Sequence, residues 1–119
     1  MTAPQYAATI FHVSYVERSI EYYTGVLGFT VDFRYGDLAG MVFGNVLIYL
    51  SGPAQGVKRA IGEGSIYIFC DDVNEYYLNI KSMGADISVD IEDRAYGMRD
   101  FGIADPDGNF LTFGMEMIS

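Results

Sequence analysis

The chain has 119 residues, half of them hydrophobic, with a single cysteine and a formal net charge of −9. This length favours one domain with a small core, and the acidic balance argues against a nucleic-acid partner, which needs a basic face. One cysteine allows no internal disulfide; with neither a signal-peptide pattern nor an apolar stretch of membrane-spanning length, we expect a cytoplasmic protein that does not bind membranes.

The first half of the chain predicts one strand, one helix and three further strands. The first strand is expected from about Tyr6 to Val13. Ser14 and Glu17 then match a capping box at the start of a helix. Apolar residues follow at helical spacing until Gly28 ends the helix, at Val16, Ile20, Tyr23 and Leu27. The three strands that follow are Phe29–Tyr35, Leu38–Phe43 and Val46–Ser51.

The second half repeats this order after a polar, glycine-rich connection. A strand at Ser65–Cys70 leads to a cap at Asp72 and to a helix that Gly84 ends. The last strands are expected near Ile87–Ile91, Phe101–Ala104 and Phe110–Met115. The halves share little residue identity, so the order of elements carries the repeat. It predicts a single domain over residues 1–119, with one module at about 6–51, a connection at about 52–63 and a second module at about 64–118.

The segment from Tyr96 to Phe110 predicts a strand, a tight turn and the next strand. Its turn, Asp105-Pro106-Asp107-Gly108-Asn109, is favourable throughout: proline fixes φ, Asp and Asn bond their own backbone, and glycine allows positive φ. This hairpin and the helix segment Val16–Phe29 resemble the glyoxalase / bleomycin resistance / extradiol dioxygenase superfamily, also called vicinal oxygen chelate proteins. The resemblance covers essentially the whole chain. It implies an α+β fold in which two βαβββ modules form partly open, curled, barrel-like sheets with the helices outside.

Metal-dependent members of that superfamily place one ligand, typically His or Glu, on the first and last strand of each module. Carried over from the helices and the final turn, these four positions are Ala8, Tyr49, Ser65 and Thr112. Alanine cannot bind a metal, neutral Ser and Thr are poor ligands, and tyrosine needs a strongly lowered pKa. We therefore expect no metal site of the superfamily's type and no cofactor, which favours a protein that is not an enzyme.

His12 is the only histidine in the chain. On a regular strand it shares the face of Ala8 but lies about 13 Å away, too far to replace the missing ligand. A lone histidine without a His or Cys partner at ligand spacing does not bind metals tightly. We favour a histidine hydrogen-bonded at the strand end near Ser14; the alternative is a ligand-binding role.

Alternation along the strands predicts which side chains accompany the four positions into the cavity. They are aromatic, small and almost uncharged: Ala8, Ile10, His12, Leu47, Tyr49, Ser65, Tyr67, Phe69, Phe110, Thr112 and Gly114. Such a set is typical of a pocket for a flat or apolar group that hydroxyls orient. The alternative is a filled barrel core, because aromatic side chains in strands are often core residues.

Three segments are similar to the bleomycin-resistance branch of the superfamily: Val31–Gly40, Val46–Ser51 and Tyr96–Phe101. This resemblance implies a small acidic homodimer that sequesters the drug unaltered in a groove at the dimer interface, where aromatic side chains stack on it. Phe33 matches an aromatic position, Leu38 stands where the branch often has an aromatic residue, and Tyr96 stands where it commonly has tryptophan. The chain has no tryptophan, so a flat cationic ligand is implied more generally than bleomycin itself.

Arg99 and Asp100 are adjacent, so they point to opposite faces of a regular strand. Arg99 in the groove would bind an anionic group. The alternative, which we favour, is a surface ion pair with a nearby acidic residue.

We therefore expect non-catalytic binding and sequestration of a small, flat, cationic molecule such as a bleomycin-family antibiotic. The expected ligand-binding residues are His12, Phe33, Leu38, Tyr49, Ser65, Tyr67, Phe69, Tyr96, Arg99 and Thr112. One alternative is a glyoxalase-like or isomerase/lyase enzyme with a metal-free or relocated site, in which His12, Tyr49 or Tyr67 transfers the proton. Another is an interaction module without a small ligand. The resemblance also implies a homodimer, in which the strand from Tyr6 to Val13 is open to exchange between the partners.

Overall fold

The computed structural model describes residues 2–56 and 59–117, and within them two helices and eight strands follow the predicted order. The first half contains β1 (Thr9–His12), α1 (Val16–Gly25), β2 (Thr30–Tyr35), β3 (Leu38–Phe43) and β4 (Val46–Ser51). A short 3₁₀ turn, Pro53–Gln55, lies in the connection. The second half contains β5 (Ser65–Phe69), α2 (Asn74–Ser82), β6 (Asp86–Asp93), β7 (Met98–Ala104) and β8 (Phe110–Glu116).

Each half forms a four-stranded sheet of its own, in the orders β1-β4-β3-β2 and β5-β8-β7-β6. The first strand of each half runs parallel to the last, while the other neighbours are antiparallel. The parallel pairing requires a crossover, and α1 and α2 supply it. The predicted α+β fold of two βαβββ units is confirmed, and over the described residues the sheets do not close into a barrel.

The core lies between the helices and one face of the sheets. In the first sheet Phe11, Met41 and Leu50 are completely buried, and Tyr23 of α1 packs into the same cluster. In the second sheet Phe101 and Phe113 stack with ring centroids 5.5 Å apart. Because side chains alternate across a strand, the intervening residues occupy the opposite surface. We call this surface, which the helices do not cover, the open face.

The final turn joins the second half to the first. Gly108 has a φ of 100°, and its N–H donates to the Asp105 carbonyl at 3.0 Å, which confirms the predicted turn. The buried Asp105 carboxylate accepts a hydrogen bond from Tyr23 of α1 at 3.0 Å. Asn109 reaches β1, where its side-chain amide donates to the His12 carbonyl at 3.2 Å.

The capping box predicted at Ser14 is wrong. Helix α1 begins at Val16 after Tyr15 and has no side-chain cap. The Ser14 hydroxyl instead donates to Asp107 of the final turn at 2.6 Å. At the second helix the N-cap residue is Val73, without a side-chain cap, and Asp72 just before it accepts a hydrogen bond from the Asn74 N–H at 2.9 Å. No helix within the described ranges is both long and apolar enough to cross a bilayer.

Candidate functional site

The open face carries the side chains that alternation selected. Ile10 lies beside Tyr49 in the parallel β1–β4 pair, and Tyr67 lies beside Thr112 in the parallel β5–β8 pair. The other members of the predicted set follow the same register, with Ser65 beside Phe110 and Phe69 beside Gly114. The helices leave these side chains uncovered, so they are available to a ligand or to another chain.

An aromatic pair occupies the open face of the first sheet. Phe33 and Tyr49 meet edge to face, with ring centroids 5.1 Å apart and planes at 89°, an arrangement that aromatic pairs prefer. A register shift between Val31 and Phe33 turns Phe33 toward the open face. Gly40 lies beneath the Phe33 ring, where a Cβ would collide with it. The bulge and the glycine together hold the ring flat against the sheet.

A cavity of about 460 Å³ and a cavity of about 450 Å³ flank this first sheet. Tyr49, Tyr6 and the exposed carboxylate of Asp32 line the smaller one. His12 lines the larger one with Ile10, Arg59 and Glu63. These surroundings combine aromatic rings with acidic groups at their edge.

The open face of the second sheet is organised around Asp100, a carboxylate only 3% exposed. Its Oδ2 accepts the phenol hydrogens of Tyr67, at 2.9 Å, and Tyr96. Its Oδ1 accepts from Arg94 Nε at 2.7 Å, forming an ion pair. Arg94 also donates to Glu92 at 2.9 Å and to the Asp90 carbonyl at 2.8 Å. The network satisfies a carboxylate that would otherwise be costly to bury.

These contacts fix the charge state of the cluster. Burial alone would raise the pKa of Asp100, but hydrogen bonds from Tyr96, Arg94 and Tyr67 hold that pKa below its ordinary value. Partial burial and the bond to Asp100 raise the pKa of the Tyr67 phenol. The bond to Asp100 likewise raises the pKa of Tyr96. At neutral pH the cluster therefore holds an ionised carboxylate and two protonated phenols.

A cavity of about 360 Å³ opens above this cluster. Tyr67, Tyr96 and Thr112 form its polar wall, while Val89 and Phe110 add apolar surface. The Phe110 ring lies over the sheet backbone at Gly102, where a Cβ would collide with the ring. Gly114 leaves room in the same way for the Tyr67 hydroxyl. Because the two glycines have no side chain, these aromatic rings lie across the neighbouring strands, which leaves a flat, ring-lined space.

The predicted site residues separate into groups. Tyr67, Tyr96 and Thr112 share one cavity, and the Phe69 ring lies 4.9 Å from that of Tyr67. Phe33 and Tyr49 form the pair on the first sheet, where Leu38 lies two residues before Gly40 on the open face of β3. Ser65 is exposed at the start of β5.

Two predicted residues lie apart from these groups. Arg99 projects from the other side of β7, where it pairs with Asp93 at 2.6 Å and donates to Asn74 at 2.9 Å. The ion-pair interpretation of Arg99 is confirmed, and the structure does not bring this residue into the aromatic site. The hydrogen bonds made at His12 involve its carbonyl, which accepts from Gly62 and Asn109.

Sequence reasoning missed the centre of the second cavity. Asp100, Arg94 and Gly102 were absent from the expected site, although adjacency already placed Arg99 and Asp100 on opposite faces. The usable signal was a carboxylate directly before the apolar run Phe101–Ala104, since a carboxylate that is buried there requires hydrogen-bond partners.

The four positions that the resemblance assigns to metal ligands do not fit a metal here. Ala8 offers a methyl group, and Ser65 and Thr112 offer only neutral hydroxyls. Over the described ranges, no group of three or more His, Cys, Asp or Glu side chains is placed to hold an ion. The expectation that the protein uses no metal or cofactor remains a prediction.

Paired βαβββ units with an uncovered, aromatic sheet face define the class of the protein. The chain belongs to the Glyoxalase/Bleomycin resistance protein/Dioxygenase superfamily, whose profile matches residues 6–113. It is 27% identical over 120 residues to a bleomycin resistance protein of Geobacillus stearothermophilus, covering 87% of this chain and 91% of the relative.

Solved structures show the same fold. A superfamily member from Sphaerobacter thermophilus aligns with a TM-score of 0.78 at 22% identity, covering 96% of this chain and 98% of the other. A lactoylglutathione lyase from Agrobacterium tumefaciens aligns with a TM-score of 0.79 at 19% identity, covering 96% of each chain. At these identities the likeness concerns the fold.

Proposed function

We propose that the protein binds and sequesters a small, flat, cationic molecule, such as a bleomycin-family antibiotic, without altering it. The observation that carries this proposal is the pair of ring-lined areas on the uncovered faces of the two sheets, around Phe33–Tyr49 and around Tyr67–Tyr96. The similarity to bleomycin resistance proteins supports the same function. The predicted site residues on the open face form the binding surface in this proposal.

The charge of the chain agrees with a cationic ligand. The formal net charge is −9, and Asp32 lines a cavity together with Tyr6 and Tyr49. A ring that stacks on tyrosine while its cationic tail lies near a carboxylate gains from both contacts. The acidic surface also raises the local concentration of cations.

A homodimer is part of this proposal. Ile10 and Phe69 are 53% and 73% exposed on the open face, and apolar side chains so exposed on one surface favour a protein partner. In the structure Thr9–His12 pairs with β4 of its own chain, while residues 2–8 have no regular secondary structure. Strand exchange between partners and a cytoplasmic location remain predictions from the sequence.

The proposal is tested by expressing the protein in a bleomycin-sensitive bacterium. We expect survival at drug concentrations that kill the parent strain, and mass spectrometry of the recovered drug should show an unchanged molecule. Replacing both Phe33 and Tyr49 by leucine should remove protection, while Tyr15→Leu, at an exposed position before α1, should retain it. Equal sensitivity of expressing and parent cells would reject this function.

A glyoxalase-like or isomerase/lyase activity is the second candidate. The Asp100 cluster favours it, because a tyrosine bound to a buried carboxylate in a cavity is a possible proton-transfer site. The raised pKa of Tyr67 argues against it, since a general acid or base works best with a pKa near the working pH. Turnover of a glutathione hemithioacetal that Tyr67→Phe abolishes would establish the glyoxalase-like activity; no turnover of this substrate by purified protein would reject it.

A further inference from the structure

In the cavity of the second sheet, Asp100 determines whether the two phenols donate or accept hydrogen bonds. A phenol carries one hydrogen, and both Tyr67 and Tyr96 donate theirs to the same oxygen of Asp100. An ionised carboxylate is an acceptor only, so it cannot return a hydrogen to either phenol. The phenol oxygens keep their remaining lone pairs, which can only accept.

Most donors of the neighbouring cation are already used within the protein. Four of the five N–H groups of the Arg94 guanidinium donate to protein oxygens, on the Asp100 side chain and carbonyl, Glu92 and the Asp90 carbonyl. Arg94 also neutralises the Asp100 charge locally, which lets the carboxylate stay ionised while it is buried. The lowered pKa of Asp100 and the raised pKa of Tyr67 agree with this assignment of protons.

We propose that this cavity selects flat groups that carry N–H donors, because Asp100 fixes the Tyr67 and Tyr96 oxygens as acceptors. The ligand group would lie against the Phe110 ring, beside the two phenols. Amidines, protonated amines and aromatic N–H groups can donate to these two oxygens, whereas a group offering only a carbonyl or ether oxygen can bond to neither phenol. The inference rests on the proposed function and specifies the chemistry of one part of its ligand.

Indole and benzofuran provide a matched pair of probes, since both are flat and neutral and differ in an N–H in place of an oxygen. Binding to the full-length protein is followed by titration of ¹⁵N-labelled amides, with Gly102 and Thr112 reporting on the cavity. We expect indole to shift these signals and to bind about tenfold more tightly than benzofuran, the worth of one hydrogen bond.

Variants test whether the preference for indole depends on the acceptor oxygens or only on the shape of the cavity. Tyr67→Phe and Tyr96→Phe each remove one acceptor oxygen and should lower the preference for indole several-fold, while Tyr15→Phe should leave it unchanged. In Asp100→Asn, the side-chain oxygen still accepts from Arg94, and the amide nitrogen donates to the phenols. The phenol hydrogens then turn toward the cavity, so the affinity for benzofuran should rise relative to that for indole. If this variant does not fold, the two phenylalanine variants decide the question.

Equal affinity for the two probes, or signals at Gly102 and Thr112 that neither probe shifts, would overturn the inference. An indole preference that survives both Tyr→Phe changes would also overturn it, because the acceptors would then lie elsewhere. Failure of this inference is distinguishable from failure of the sequestration proposal, which the drug-protection assay tests. Selective indole binding without drug protection would support the preference of the cavity for N–H donors and would reject bleomycin sequestration.

Discussion

Asp107 accepts hydrogen bonds from both the backbone N–H and the hydroxyl of Ser14, 93 positions earlier in the chain, at 3.0 and 2.6 Å. It also pairs with Arg18 at 3.2 Å, and its side chain is only 5% exposed. The final turn thus bonds directly to the segment that leads into α1. This turn, which resembles that of the superfamily, therefore also connects the second half of the fold to the first through hydrogen bonds and an ion pair.

Replacing Asp107 by alanine should destabilise the protein by about 1–3 kcal/mol, because the Ser14 N–H and hydroxyl lose their partner in a partly buried place. Urea unfolding monitored by tyrosine fluorescence measures this change. The control is Glu21→Ala, which removes an exposed carboxylate from α1. Equal unfolding midpoints for the two variants would show that the hydrogen bonds between Asp107 and Ser14 contribute no stability.

The sequence predicted the order of elements and the sheet faces, because apolar periodicity and turn residues are local signals. Strands β3 and β4 lie at their predicted positions, Leu38–Phe43 and Val46–Ser51. The cap at Ser14 was misassigned for a physical reason, since a residue distant in sequence takes its hydroxyl. Local pattern cannot reveal such a competitor.

Lowering the pH should reduce the stability of the fold partly through protonation of Asp100. Its folded-state pKa lies below the ordinary value of 3.8, so its stabilising contribution is complete above that value and is lost as pH falls through the lower, folded-state pKa. Asp100→Asn, although less stable at pH 7, should therefore lose less stability than wild type between pH 5 and pH 2.5. Urea midpoints measured across this range test the prediction, with Asp32→Asn as the exposed control. Parallel pH profiles for wild type and Asp100→Asn would contradict it.

Gly40→Ala should impair binding more than stability. A Cβ at this position collides with the Phe33 ring, which lies on the open face rather than in the core, so the ring can swing outward. We expect loss of ring stacking and about tenfold weaker drug binding, in the range that base–aromatic stacking contributes. Gly25→Ala is the matched control: its Cβ meets nothing within 4 Å, so the substitution should stabilise α1 by about 0.5–1 kcal/mol. Unchanged drug affinity in Gly40→Ala would remove Phe33 from the site.

Phe69→Asp should weaken the proposed homodimer. The side chain is 73% exposed on the open face, and a charge placed in an apolar interface loses its hydration without gaining a partner. Sedimentation equilibrium of the wild type should give the mass of a dimer and that of the variant a lower average mass. Leu78→Asp, on the exposed side of α2, should leave the dimer intact. A monomeric wild type at micromolar concentration would reject the dimer.

The candidate site was less predictable than the fold. Alternation placed Tyr67 and Thr112 on the correct face, but the centre of their cavity depends on contacts between β5, β7 and the β6–β7 connection. The register of the β6–β7 pair shifts at two places, which simple alternation does not anticipate. The role of Asp100 follows from those contacts, so it became visible only in three dimensions.

Calorimetric titration of the purified protein with metal-free and copper-loaded bleomycin tests the central claim most directly. The account predicts saturable binding near one drug molecule per protomer, with loss of heat when Phe33 and Tyr49 are replaced by leucine. The absence of binding heat at micromolar protein, for both forms of the drug and at two temperatures, would contradict it.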